Sequence, residues 1–86
     1  MPRTESEIRS TIRRIVYGHL GEEVDETADL LEIAGLSSLE FVELLVEIEE
    51  EFDVIIEFVS VDPETLLSVN GLVRHIRRLG KDGYGA

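Results

Sequence analysis

The chain has 86 residues, enough for one domain and a modest core, and no cysteine, which excludes disulfides, thiolate metal sites and a cysteine nucleophile. All eight basic residues lie toward the two ends, and residues 15–73 hold 16 of the 19 acidic residues with no Lys or Arg. An acidic middle in a chain of net charge −11 repels phosphate backbones and anionic lipid, so neither nucleic acid nor a membrane is an expected partner; the charge suits a basic protein surface or serves only to keep a small domain in solution.

Thr4 followed three residues later by Glu7 is a capping-box pattern, so a first helix is predicted from "TESE". Ile8, Ile12, Ile15 with Val16, and His19 with Leu20 recur at helical spacing up to Gly21. Residues 21–36, "GEEVDETADLLEIAGL", read as a long acidic connection that Leu30, Leu31, Ile33 and Leu36 pin to the core. Ser37 with Glu40 forms a second capping box, which starts a second helix near Ser38 that runs to Glu51 or Phe52. "DVIIEFVSV" is rich in β-branched residues, but a lone strand is unstable without a partner, so this stretch is read as a loop.

Asp62 followed by Pro63 marks a short third helix with proline at its first position. Ser68 is placed to cap the last helix, whose apolar stripe is Leu72, Val73, Ile76 and Leu79. Gly80 is expected to stop that helix and leave residues 80–86 as a flexible tail. The predicted fold is all-α: one domain over 1–86 with its core at about 5–79. It is a small four-helix bundle of three main helices plus one short helix, with a long loop between the first two. No signal-peptide core or membrane-length apolar run occurs in the sequence, so a cytoplasmic monomer is expected.

The second helix has three sectors when drawn at 100° per residue. Phe41, Leu44, Leu45, Ile48 and Phe52 share one arc and supply a core stripe. Glu40, Glu43, Glu47, Glu50 and Glu51 lie opposite and beside it. Ser38, Leu39, Val42 and Val46 form the third sector, with Glu49 among them. A carboxylate in that sector argues against its full burial, because an unpaired buried charge is costly. A partly exposed apolar strip edged by carboxylates suits docking of a partner, and the alternative is a wider core that takes in the valines as well.

At these residues the sequence resembles acyl carrier proteins. Their pattern is a loop ending Gly-x-Asp-Ser-Leu, a helix with Val-Glu-Leu, and an acidic run closing on Phe-Asp. Gly35, Ser38, Leu39, Val42-Glu43-Leu44, Glu49-Glu50-Glu51 and Phe52-Asp53 match it in register, and Ser68-Val69 falls where the family starts its last helix. The similarity spans roughly residues 5–79.

The resemblance implies that Ser38 receives a 4′-phosphopantetheine arm from coenzyme A by the action of a separate phosphopantetheinyl transferase. The arm's thiol would hold an acyl or aminoacyl group as a thioester, which suits a chain that lacks its own thiol. It further implies an acyl- or aminoacyl-loading enzyme and synthase or transferase enzymes with basic docking patches. Glu40, Glu43, Glu47 and Glu50 would steer those patches, and Leu39, Val42 and Val46 would make the short-range contact.

Two departures stand out. Ser37 occupies the position before the modified serine, where the family usually has Asp, and this removes a negative charge that a general-purpose transferase would meet. The link "IIEFVSVDPE" is about two residues longer than usual and more apolar, so Phe58, Val59 or Val61 is expected to line a cargo cavity, meet a partner or fill the core. Both departures incline the reading toward a specialised polyketide- or nonribosomal-type pathway over housekeeping fatty-acid synthesis.

Rival readings fit less well. A Ser38 nucleophile needs a base and an orienting acid. The two histidines, His19 and His75, are expected at surface or boundary positions, and no Gly-x-Ser-x-Gly elbow is present. No segment has the ligand order of a calcium-binding EF-hand loop. The alternative that stays open is a non-catalytic acidic adaptor or inhibitor domain that uses the same strip without an arm.

Overall fold

The structure, a computed structural model, describes residues 4–32, 36–56 and 66–82, with side chains up to 79. The described residues form three helices in chain order, α1 (Glu5–Leu20), α2 (Ser38–Phe52) and α3 (Val69–Asp82). The predicted all-α class holds among them. The short helix expected at Asp62-Pro63, the link residues Phe58, Val59 and Val61, and the pinning residue Ile33 lie outside the described residues.

The capping box at the start of α1 is fully formed. Glu7 N–H donates to the Thr4 hydroxyl at 3.1 Å, and Thr4 N–H donates to Glu7 Oε1 at 2.8 Å. Gly21 ends the helix with φ 77°, a left-handed conformation that costs glycine nothing, and its N–H caps the Tyr17 carbonyl at 2.7 Å. Ser68 caps α3 as expected, accepting from Gly71 N–H at 3.1 Å. Gly80, by contrast, does not end α3. The helix runs on to Asp82, so residues 80–82 of the expected tail are helical. A glycine commonly ends a helix by adopting the left-handed conformation, and among the described glycines Gly21 alone does so.

One apolar cluster joins the helices. Ile8, Ile12, Ile15 and Val16 of α1 meet Leu44, Leu45 and Ile48 of α2 and Val69, Leu72, Val73 and Ile76 of α3. Each such buried side chain contributes roughly 1.5–3 kcal/mol by leaving water. Leu30 and Leu36 join the core as predicted, and Leu31 is half-buried against it. Phe41 and Phe52 also pack on its edge, which completes the predicted stripe of α2.

Backbone bonds do part of the pinning that apolar spacing alone does not reveal. Leu30 N–H donates to the Leu67 carbonyl at 2.8 Å, and Asn70 N–H donates to the Glu26 carbonyl at 2.9 Å. These tie the stretch after α1 to the start of α3. Arg9 strengthens the tie by donating to Glu26 Oε1 at 2.8 Å and to the Asn70 side chain. Within the same stretch Asp25 accepts from the Thr27 hydroxyl and amide, and this bonding holds its carboxyl below the usual carboxylate range.

His75 corrects the sequence reading. It is 5% exposed rather than at the surface, and among the described residues neither ring nitrogen has a hydrogen-bond partner. Burial lowers its pKa first, and the nearby Arg78 cation lowers it further. The reason is register: in α3 His75 sits between the buried pairs Leu72-Val73 and Ile76, on the inner side of the helix.

Candidate functional site

Ser37 and Ser38 are adjacent but do different work. Ser37 has extended backbone (φ −73°, ψ 162°) and caps α2. Its hydroxyl accepts from Glu40 N–H at 3.1 Å and donates to Glu40 Oε1 at 3.1 Å, while Ser37 N–H donates to the same carboxylate at 3.2 Å. Every polar atom that Ser37 offers to the helix end is engaged. Ser38 is the first residue of α2 and is exposed. Among the described residues nothing bonds its hydroxyl, which is free to react.

The setting of Ser38 suits a phosphate ester. It lies at the N-terminus of a 15-residue helix, where unbonded N–H groups and the positive end of the helix dipole favour an anion. Glu40, the acidic residue of the first turn, has its carboxylate turned back into the cap. The described residues therefore fit a phosphodiester on this exposed hydroxyl.

The apolar strip beside Ser38 is on the outside. Leu39 is 69% exposed, Val42 46% and Val46 42%. Three adjacent exposed aliphatics on a helix that already buries Leu44, Leu45 and Ile48 form an apolar surface outside the core. Glu49 has its own role: half-buried, it accepts from Ile56 N–H at 2.6 Å, and its carbonyl receives Val54 N–H at 3.1 Å. The carboxylate predicted to oppose burial instead holds the chain after α2, where Ile55 projects at 76% exposure between Val54 and Ile56.

Around the strip, Glu43 and Glu50 are exposed and make no ion pair among the described residues. Glu47 is exposed but contacts His19 at 2.9 Å. Neither histidine bonds Ser38, so no triad forms among the described residues. No group of three or more His, Asp or Glu side chains among them is arranged to hold an ion. A shallow depression along the outer face of α1, beside Arg9, Arg13, Arg14 and Tyr17, includes neither Ser38 nor the strip. Its arginines are already engaged by Glu5, Glu23, Glu26 and Glu51.

No described helix is long and apolar enough to cross a membrane.

Residues 7–76 match the profile of the family described as "Phosphopantetheine attachment site". The chain is 37% identical over 79 residues to the acyl carrier protein of Afipia carboxidovorans, covering 88% of this chain and 98% of that protein. It is 37% identical over 76 residues to the acyl carrier protein of Sinorhizobium fredii and, equally, to acyl carrier protein AcpP of Rhizobium meliloti. Each of these two matches covers 85% of this chain and 95% of the relative. No solved structure matches the chain significantly. A profile match over most of the chain, with relatives that overlap it almost end to end, places the protein in the acyl carrier protein family, with 4′-phosphopantetheine as its covalently attached group.

Proposed function

We propose that Ser38 bears the phosphopantetheine arm and that the protein presents an acyl cargo, held as a thioester on that arm, to a succession of enzymes. The observation that carries this reading is the division of labour between the two serines: Ser37 is consumed by the cap, and Ser38 is exposed with a hydroxyl that nothing bonds among the described residues. The names of the relatives favour an acyl cargo over an aminoacyl one. The arm supplies the thiol, and the chain supplies everything else that presentation needs.

Those contributions are physical rather than catalytic. The N–H groups of the first turn of α2 stabilise the ester's negative charge. Leu39, Val42 and Val46 offer the short-range contact on which a transferase, a loading enzyme or a synthase settles. Glu40, Glu43, Glu47 and Glu50 attract basic patches on those enzymes, an effect that weakens with salt. Contact through so narrow a strip suits brief encounters, as a carrier that visits several enzymes requires.

The test is intact-mass measurement after incubation with coenzyme A and a broad-range phosphopantetheinyl transferase. Wild type and Ser37→Ala are expected to gain the mass of the arm, and Ser38→Ala to gain nothing. If no transferase modifies the wild type, weight moves to the adaptor reading, in which the strip binds partners without an arm.

A further inference from the structure

Glu47 belongs to the acidic face proposed above to meet basic partners, yet it already has a companion within the chain. His19 Nε2 lies 2.9 Å from Glu47 Oε1, in a contact that joins residues 28 positions apart. His19 is in the last turn of α1, and Glu47 is two turns into α2. The histidine side chain is 22% exposed and the carboxylate 54%. The imidazole is thus set into the seam between the helices, while the carboxylate stays within reach of an approaching protein. Glu43 and Glu50, on the same face, have no such contact among the described residues.

We infer that His19 is a built-in competitor for the basic side chains of partners at Glu47, and that it loosens docking when it carries charge. The inference rests on the docking role proposed for the acidic face. A neutral imidazole offers Glu47 one N–H and leaves the carboxylate's charge in place. A protonated imidazole is a cation against that carboxylate and cancels its attraction for a partner's Lys or Arg. Imidazole is the side chain whose charge ordinarily changes between about pH 5 and 8.

The charged groups around the contact are carboxylates and arginines from each neighbouring segment. Glu43 and Glu51 lie one turn to either side of Glu47 on the same ridge of α2. Arg14 of α1 reaches Glu51 at 3.8 Å. Glu22 and Glu23 follow α1 directly, with Glu23 held by Arg13 at 2.9 Å. Among the described residues Glu47 therefore stands between an arginine-bound carboxylate and one with no ion pair, and its own partner is His19.

The test compares initial rates of arm transfer at sub-saturating carrier, using the broad-range transferase and coenzyme A at about pH 6 and about pH 8. Wild type, His19→Gln, Glu47→Gln and the double variant are measured together, so that the transferase's own pH dependence cancels in the ratios. Gln keeps a hydrogen-bond donor and removes the charge. His19→Gln is expected to outpace wild type by about two- to fivefold at the lower pH, with a clearly smaller ratio at the higher pH. In the Glu47→Gln background the same change is expected to do nothing.

Equal pH dependence of wild type and His19→Gln overturns the inference, and so does a His19 effect that survives loss of Glu47. A wild type that is never modified sinks the attachment reading instead. The imidazole resonances of His19, followed by NMR at one pH without any transferase, then decide the contact: ring signals moved by Glu47→Gln support it, and unmoved ones overturn it.

Discussion

The two helices that open with the same cap end up with opposite tasks. Thr4 with Glu7 and Ser37 with Glu40 form matching capping boxes on residues with the same backbone angles, φ −73° and ψ 162°. The residue that follows each cap differs. In α1 it is Glu5, whose two oxygens accept from Arg9 at 3.0 Å and from Arg77 at 2.8 Å. In α2 it is Ser38, neutral and unengaged among the described residues. The first helix thus brings its own anion to the positive end of its dipole and spends it on tying α1 to α3. The second leaves that position to a hydroxyl that can acquire a phosphate. The outer faces differ in the same way: α1 presents arginines already paired with carboxylates, and α2 presents exposed aliphatics.

The sharpest way to break this contrast is at Ser38 itself. Ser38→Ala is expected to abolish arm attachment while leaving the thermal melting unchanged, because the hydroxyl supports no bond among the described residues. A lowered melting temperature would mean that the hydroxyl is part of the fold.

The next largest effect is expected in α3, at His75. A buried polar group without a partner costs about 1–3 kcal/mol, and His75 has none among the described residues, so His75→Leu should stabilise the protein by up to that amount in denaturant unfolding. The variant should also flatten the pH dependence. The pKa of His75 is lowered in the folded state, so the unfolded chain takes up the proton first. Stability is therefore full above the unfolded value of about 6.5 and declines as pH falls from there toward the lowered folded value. A wild type whose stability is flat from about pH 7.5 to 5.5 would contradict this.

On the display side, Val42→Asp is expected to slow transfer to a partner enzyme about tenfold, equivalent to about 1.4 kcal/mol, with the fold intact by circular dichroism. Unchanged transfer would remove Val42 from the interface. The two caps should respond alike: Thr4→Ala and Ser37→Ala are each expected to cost about 1 kcal/mol, and Ser37→Ala should still accept the arm. The smallest effect is expected at Glu5→Gln, which removes charge from two exposed pairs and should cost less than about 1 kcal/mol, the more so in salt.

Much of this contrast was legible in the sequence because its devices are local. A capping box, a glycine at a helix end and a 3.6-residue apolar period are each written within a few residues, and all three led to the observed helices. The exposed strip was legible too, since five apolar positions sufficed for the core stripe and left Leu39, Val42 and Val46 over. What could not be read depends on packing between segments. His75 sits on the apolar side of α3 by register, but its burial follows from how α3 faces its neighbours. Arg9 reaches Glu26 and Asn70, 17 and 61 residues away, and no spacing rule joins them. Glu49 was rightly seen as out of place in an apolar sector, but its partner, the Ile56 amide, becomes visible only once the chain turns back after α2. Gly80 misled because a glycine permits a helix to stop without requiring it.

The most direct test of the central claim is fragmentation mass spectrometry on the modified protein, with the arm localised to a single residue. The account predicts the whole of the phosphopantetheine on Ser38 and none on Ser37, in wild type and in Ser37→Ala alike. An arm found on Ser37, or on any residue away from the start of α2, would contradict it.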